Sequence, residues 1–118
     1  MKKLAQREEQ IMQVLWERGP SFVKEIVESL PEPKPHYNSV STMVRILETK
    51  GFIGHEAFGK SHRYFAAVEK EDYQVKAVKD ILGSYFNNSL TDMITFFAKK
   101  EEVDEKELKD IIDIIKKK

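Results

Sequence analysis

The chain contains no cysteine among its 118 residues. This absence excludes a disulfide scaffold, a zinc site built on thiolates and a cysteine nucleophile. No apolar run approaches the ~18 residues that a membrane-spanning helix needs, and the first ten residues lack the apolar core of a signal peptide. We therefore expect a cytoplasmic protein.

Proline and glycine are nearly missing from the second part of the chain. All four prolines lie before residue 69, and Gly83 is the one glycine beyond it. Residues 1–68 carry ten Lys and Arg against eight Glu, whereas residues 69–118 carry ten Lys against twelve Asp and Glu. These two compositions indicate two units, which we place at residues 1–69 and 70–118. The length suits one small domain with an appendage.

Two helices are predicted at the start of the chain. Residues 4–18 repeat apolar side chains on one helical stripe that ends at Gly19-Pro20. Ser21 is predicted to cap the second helix. The prolines that begin at Pro31 end that helix, because each removes a backbone donor.

A third helix and a hairpin complete the first unit. The helix is predicted from about Asn38 to Lys50, with apolar residues at helical spacing. Two β-prone runs, 52–58 and 62–68, flank a turn at Gly59-Lys60-Ser61 and predict a β-hairpin. Helix, helix, helix and hairpin form the layout of a winged helix-turn-helix.

The remainder predicts three amphipathic helices, at about 70–86 and 90–99 and from Asp104 onward, with Ser89 and Asp104 as candidate caps. Such short helices cannot bury their apolar faces alone, and the first unit looks complete, so we expect a second copy to cover them. The fold class is therefore mostly α with a small β-hairpin, a winged helix-turn-helix followed by a helical dimerisation region. The predicted dimer contacts are Tyr73, Val78, Ile81, Leu82, Tyr85, Phe86, Met93, Phe97, Leu108, Ile111, Ile112 and Ile115.

The outer face of the third helix favours DNA binding. At ~100° per residue, Asn38, Thr42 and Arg45 point away from the apolar stripe, whereas an ordinary solvated face would carry Lys/Glu pairs. A slim polar ridge fits a major groove ~12 Å wide, where Asn pairs with adenine and Arg with guanine. The predicted DNA-binding residues are Asn38, Ser39, Ser41, Thr42 and Arg45 on the helix, and Lys60, His62 and Arg63 on the hairpin.

The hairpin residues are expected to contact backbone phosphates. The surplus of cations between residues 36 and 63 is modest, with two Arg and two Lys against two Glu. A single copy would bind weakly, so two half-sites on one dimer are expected.

Other functions remain open at this point. His55 and His62 lie on neighbouring strands and suggest a metal pair with Glu56, but strand alternation puts Glu56 on the other face. We expect no metal, no cofactor and no enzymatic activity, because no phosphate loop or catalytic constellation stands out. The alternatives to simple DNA binding are a winged helix that docks a protein, and a DNA-binding protein controlled by a metal or another ligand.

Several blocks resemble one family. Residues 8–20, which contain Leu15-Trp16-Glu17-Arg18-Gly19-Pro20, closely resemble the first-helix signature of the penicillinase repressor family (BlaI/MecI type). Residues 40–47 resemble its recognition helix, and residues 59–65 its wing. Asn88-Ser89-Leu90 and the amphipathic tail resemble its dimerisation region, so the resemblance spans essentially the whole chain.

The resemblance implies a homodimeric transcriptional repressor of a palindromic operator, which in the family controls β-lactam resistance genes. It also implies induction through a membrane sensor protease that leads to cleavage of an Asn-Phe bond in the second dimerisation helix. Thr95-Phe96 lies at that position, so Phe96 matches and Thr95 does not. Copper-responsive relatives carry a cysteine cluster, and a chain without cysteine has no such switch.

Overall fold

A computed structural model describes residues 3–117 of the chain. They form six helices and three strands, and so confirm a mostly helical fold with a hairpin. The elements are α1 (Gln6–Arg18), β1 (Ser21–Phe22), α2 (Val23–Ser29), α3 (Tyr37–Thr49), β2 (Ile53–Phe58), β3 (Ser61–Ala66), α4 (Lys70–Tyr85), α5 (Leu90–Lys99) and α6 (Glu105–Lys116). The chain divides into two compact units, Met1–Val75 and Lys76–Lys118.

The core of the first unit comes from the apolar stripes of its helices and the start of its hairpin. It consists of Leu4, Ile11, Met12, Val14, Leu15, Val23, Ile26, Leu30, Val40, Val44, Leu47, Phe52, Ile53, Tyr64 and Tyr73. Gly19 ends α1 with a φ of 88°, a conformation that glycine adopts without steric cost. The predicted end of the first helix is therefore confirmed.

A three-stranded antiparallel sheet lies in the first unit, in the order β1-β3-β2. The β2–β3 hairpin is confirmed, whereas the sequence did not predict β1. Ser21 pairs with Tyr64 across the sheet, and its buried hydroxyl donates to the carbonyl of Gly19 at 2.9 Å. The prediction that Ser21 caps α2 is thus wrong, because that residue is a strand residue. The N–H of Phe22 donates instead to Glu25 at 2.9 Å.

Tyr73, in the first turn of α4, belongs to the core of the first unit. Its hydroxyl donates to Glu9 at 2.6 Å, and its ring meets Phe52 edge to face at 6.0 Å between centroids. Burial and the Glu9 carboxylate together raise the pKa of Tyr73 to about 12. This position differs from the sequence-based expectation, which placed Tyr73 among the dimer contacts. The ring is already covered within the chain itself.

The second unit contains the rest of α4 with α5 and α6. The predicted caps are confirmed, since Ser89 accepts from the N–H of Asp92 and Asp104 from that of Glu107. No side chain between residues 76 and 117 is buried. Within residues 3–117, no helix combines the length and the apolar character needed to cross a membrane.

Candidate nucleic-acid interface

The outward face of α3 carries the polar residues that the sequence predicted. Val40, Val44 and Leu47 are fully buried on one side of the helix. The side chains of Asn38, Ser39, Thr42, Arg45 and Thr49 are exposed, and that of Ser41 is half-buried. The helix therefore presents hydroxyls, an amide and a guanidinium to the surroundings.

Hydrogen bonds between residues one turn apart along the helix orient these side chains. The hydroxyl of Thr42 donates to the carbonyl of Asn38 at 3.0 Å. The guanidinium of Arg45 donates to both the carbonyl and the hydroxyl of Ser41, at 3.4 and 3.3 Å. Because Ser41 lies one turn earlier, Arg45 extends along the ridge toward the N-terminal end of α3.

The C-terminal end of α3 is held by an ion pair with α1. The ammonium of Lys50 lies 2.9 Å from a carboxylate oxygen of Glu8, which is 8% exposed. Burial alone raises the pKa of Glu8. The hydrogen bond from the N–H of Ala5 and the charge of Lys50 outweigh that effect and hold the pKa below its ordinary value.

One face of the hairpin is turned toward α3. His55 pairs with Tyr64 across the strands, and His62 pairs with Ala57 on the same face. The imidazoles of His55 and His62 stack at 4.2 Å between centroids. Nδ1 of His55 contacts the carboxylate of Glu48 on α3. Residues 3–117 contain no cluster of His, Asp and Glu arranged to hold a metal ion.

The opposite face of the hairpin contains Arg63. Its guanidinium carbon lies 4.7 Å from the centroid of the Phe58 ring, and its Nη2 lies 3.5 Å from Glu56. Arg63 also pairs with Phe22 of β1, whose ring meets that of Phe58 edge to face. The structure therefore brings Lys60 and His62 together near α3 and places Arg63 on the other side of the sheet.

A cleft of about 550 Å³ separates the ridge of α3 from the hairpin. Arg45, Lys60 and His62 line it, together with Lys24 at the start of α2 and Tyr37 at the start of α3. The sequence analysis missed Lys24 and Tyr37. One signal was present for Lys24, since a cation in the first turn of a helix opposes the helix dipole.

A second candidate surface lies on the second unit. The predicted dimer contacts from Val78 onward are half-buried or exposed, and Tyr85 is 77% exposed. Ile114 is 70% exposed and lies outside the predicted stripe. Phe96 contacts the rings of Phe86 and Phe97, and the Thr95-Phe96 bond lies in the middle of α5. This unit thus exposes many large apolar side chains.

Known proteins are similar to this chain in sequence and in fold. The family model described as penicillinase repressor matches residues 4–117. The chain is 22% identical over 117 residues to the methicillin resistance regulatory protein MecI of Staphylococcus aureus (strain N315), which covers 98% of this chain and 95% of that protein. It is 22% identical over 114 residues to the penicillinase repressor of Staphylococcus aureus, with 96% and 90% covered. The crystal structure of AF1382 from Archaeoglobus fulgidus aligns with a TM-score of 0.51 at 14% identity, over 67% of this chain and 90% of that one, and shows a similar fold.

Proposed function

The chain belongs to the penicillinase repressor family, a family of transcriptional repressors, and from this premise we propose that it is a homodimeric repressor of a palindromic operator. The observation that carries the proposal is the exposed ridge of α3, whose hydroxyls, amide and guanidinium project away from a fully buried apolar stripe. By its kinship with MecI, we further propose that the operator controls genes of β-lactam resistance.

In this proposal α3 is the recognition helix. Arg45 is the principal base reader, because a guanidinium makes two parallel hydrogen bonds to guanine. Its contacts with Ser41 hold the side chain along the ridge before DNA arrives, so that less conformational freedom is lost on binding. Asn38, Ser39 and Thr42 supply further polar groups to the groove.

The hairpin is the wing, and it contacts the DNA backbone through Lys60 with His62 beside it. Both side chains are exposed and line the cleft next to α3. Contacts with phosphates give affinity that depends on salt and not on sequence. Arg63 supports the wing from the opposite face of the sheet.

Dimerisation through the second unit completes the proposal. Four of the residues that face outward there are 46–77% exposed: Val78, Ile81, Tyr85 and Ile112. Apolar surface of this extent is typical of an association site. Two copies of the wing and recognition helix would then engage two half-sites at once.

The test of base reading is the Arg45→Ala variant. We expect a loss of about 1–3 kcal/mol in binding to an operator selected from a random duplex library, with little change on random duplex. Fluorescence anisotropy of labelled duplexes measures both. An equal loss on the two duplexes would remove base reading from the proposal.

The matching test of the wing is Lys60→Ala. This variant should weaken binding to both duplexes alike and reduce the slope of log affinity against log salt by about one for each protomer on the duplex. The slopes come from the same anisotropy titrations at several salt concentrations. An unchanged slope would mean that Lys60 does not contact the backbone.

A further inference from the structure

Three cations from three different elements border the cleft between α2, α3 and the wing. Lys24, Arg45 and Lys60 are all exposed. Between residues 3 and 117, neither Lys24 nor Lys60 has a carboxylate within ion-pair distance. The cleft therefore collects positive charge that is not neutralised by the ion pairs of the fold.

The carboxylate of Glu25, which lines the cleft, already accepts hydrogen bonds from within the fold. Glu25 receives hydrogen bonds from Arg18 at 2.5 Å and from the N–H of Phe22 at 2.9 Å. These two donors hold the pKa of Glu25 below its ordinary value, with the N–H of Phe22 the larger influence. These hydrogen bonds hold Glu25 at the start of α2, and it makes no ion pair with Lys24.

A buried phenol also lines the cleft. Tyr64 is 5% exposed and belongs to the core, yet its side chain reaches the cleft wall. Its hydroxyl makes no hydrogen bond with any residue from 3 to 117. Burial raises the pKa of Tyr64, and Glu48 adds to that effect while Arg45 opposes it. The group therefore keeps its proton and remains a hydrogen-bond donor.

We propose that this cleft binds one phosphate of the DNA backbone, with the Tyr64 hydroxyl donating to a phosphate oxygen and Lys24 neutralising its charge. This inference rests on the proposed function, because it names a contact of the same DNA-binding surface. It also explains two features that the fold does not need. Lys24 opposes the dipole of its own helix, and the Tyr64 hydroxyl, at the cleft wall, has no hydrogen-bond partner among residues 3–117.

The experiment compares Lys24→Gln and Tyr64→Phe in the full chain, on random duplex at several salt concentrations. Lys24→Gln should reduce the slope of log affinity against log salt by about 0.9 for each protomer on the duplex, and so by about 1.8 for the proposed dimer. Tyr64→Phe should keep the slope, because no charge is removed. It should weaken binding about tenfold, as expected for a hydrogen bond to a charged group.

Two controls separate these effects from general ones. Lys70→Gln removes the same charge from the first unit outside the cleft and should leave affinity and slope close to wild type. Urea denaturation of Tyr64→Phe establishes that the variant is folded under the binding conditions. Phosphorus-31 spectra of inorganic phosphate with the protein alone test for capture of a free anion.

The outcomes decide between the two proposals. If wild type binds no duplex, the proposed function itself fails. If wild type binds and Lys60→Ala changes the slope while Lys24→Gln does not, the inference about the cleft is overturned and the proposed function stands. Broadening of the phosphate signal without DNA, abolished by Lys24→Gln and accompanied by an unchanged salt slope of duplex binding in that variant, would also overturn it, because the cleft would then be a site for a small anion only.

Discussion

At the scale of single residues, Glu8 connects the stability of the first unit to the position of α3. Its carboxylate is buried, holds the ammonium of Lys50 at 2.9 Å and accepts from the N–H of Ala5 at 3.0 Å. The pKa of Glu8 lies below its ordinary value of 4.5. Its ionised form therefore stabilises the fold above that value, and the stabilisation is lost as the pH falls through the lower pKa of the folded state.

We expect Lys50→Met to lower the free energy of unfolding at pH 7 by about 1–3 kcal/mol, the cost of leaving a buried charged group without its partner. The difference from wild type should shrink as the pH falls below the pKa of Glu8, because protonation removes the charge that Lys50 neutralises. Urea unfolding at a series of pH values measures this. In Glu8→Gln, the loss of stability that protonation of Glu8 causes at low pH should be missing. A difference in unfolding free energy between Lys50→Met and wild type that stays constant down to pH 2 would contradict the link between Lys50 and the ionisation of Glu8.

The sequence predicted whether a residue is exposed where the helical repeat alone determines it. The exposure of Asn38, Thr42 and Arg45 follows from helical spacing alone. Helical or strand spacing does not predict the surroundings of Arg63 and Tyr73, because their partners are distant in sequence. Arg63 pairs with Phe22 across the sheet, and Tyr73 bonds to Glu9. Composition also gave no sign that Lys24 and Tyr64 line one cleft.

At the scale of elements, the wing is braced by contacts on the side turned away from α3. Arg63 stacks on Phe58 and pairs with Glu56, and it is only half exposed. We expect Arg63→Met to leave the salt slope of DNA binding unchanged and to lower the free energy of unfolding by about 0.5–1 kcal/mol, the range for an exposed cation–π contact. Anisotropy and urea titrations check the two quantities. If Arg63→Met lowered the slope by about one while Arg63→Lys kept it, Arg63 would be a phosphate contact, as the sequence suggested.

Element boundaries were predictable where capping residues mark them. Ser89 and Asp104 fix the starts of α5 and α6 as expected, because their side chains accept the free N–H groups of the first turn. The two-residue strand β1 was not predictable. Two residues show no alternation, and the pairing of Ser21 with Tyr64 arises only when the hairpin has formed.

At the scale of the whole molecule, the second unit lacks a buried core between residues 76 and 117. We expect Ile112→Asp to convert the proposed dimer to monomers, since a charge would have to be desolvated in an apolar interface. Sedimentation velocity gives the mass, and anisotropy on a duplex with two half-sites should show a parallel loss of affinity. Lys106→Asp, in the same helix, is the control and should remain dimeric. A dimer that persists in Ile112→Asp would place the interface elsewhere.

The short strand β1 also determines where this chain tolerates a change in length. Gly19 must end α1 and Ser21 must meet Tyr64, so Pro20 alone spans the gap between a helix terminus and a sheet position. An inserted residue there would break the cap or shift the pairing, and the wing would move with it. The exposed stretch from Pro31 to Lys34 has no sheet partner. Insertions are therefore expected to accumulate between α2 and α3 and to be rejected between α1 and α2.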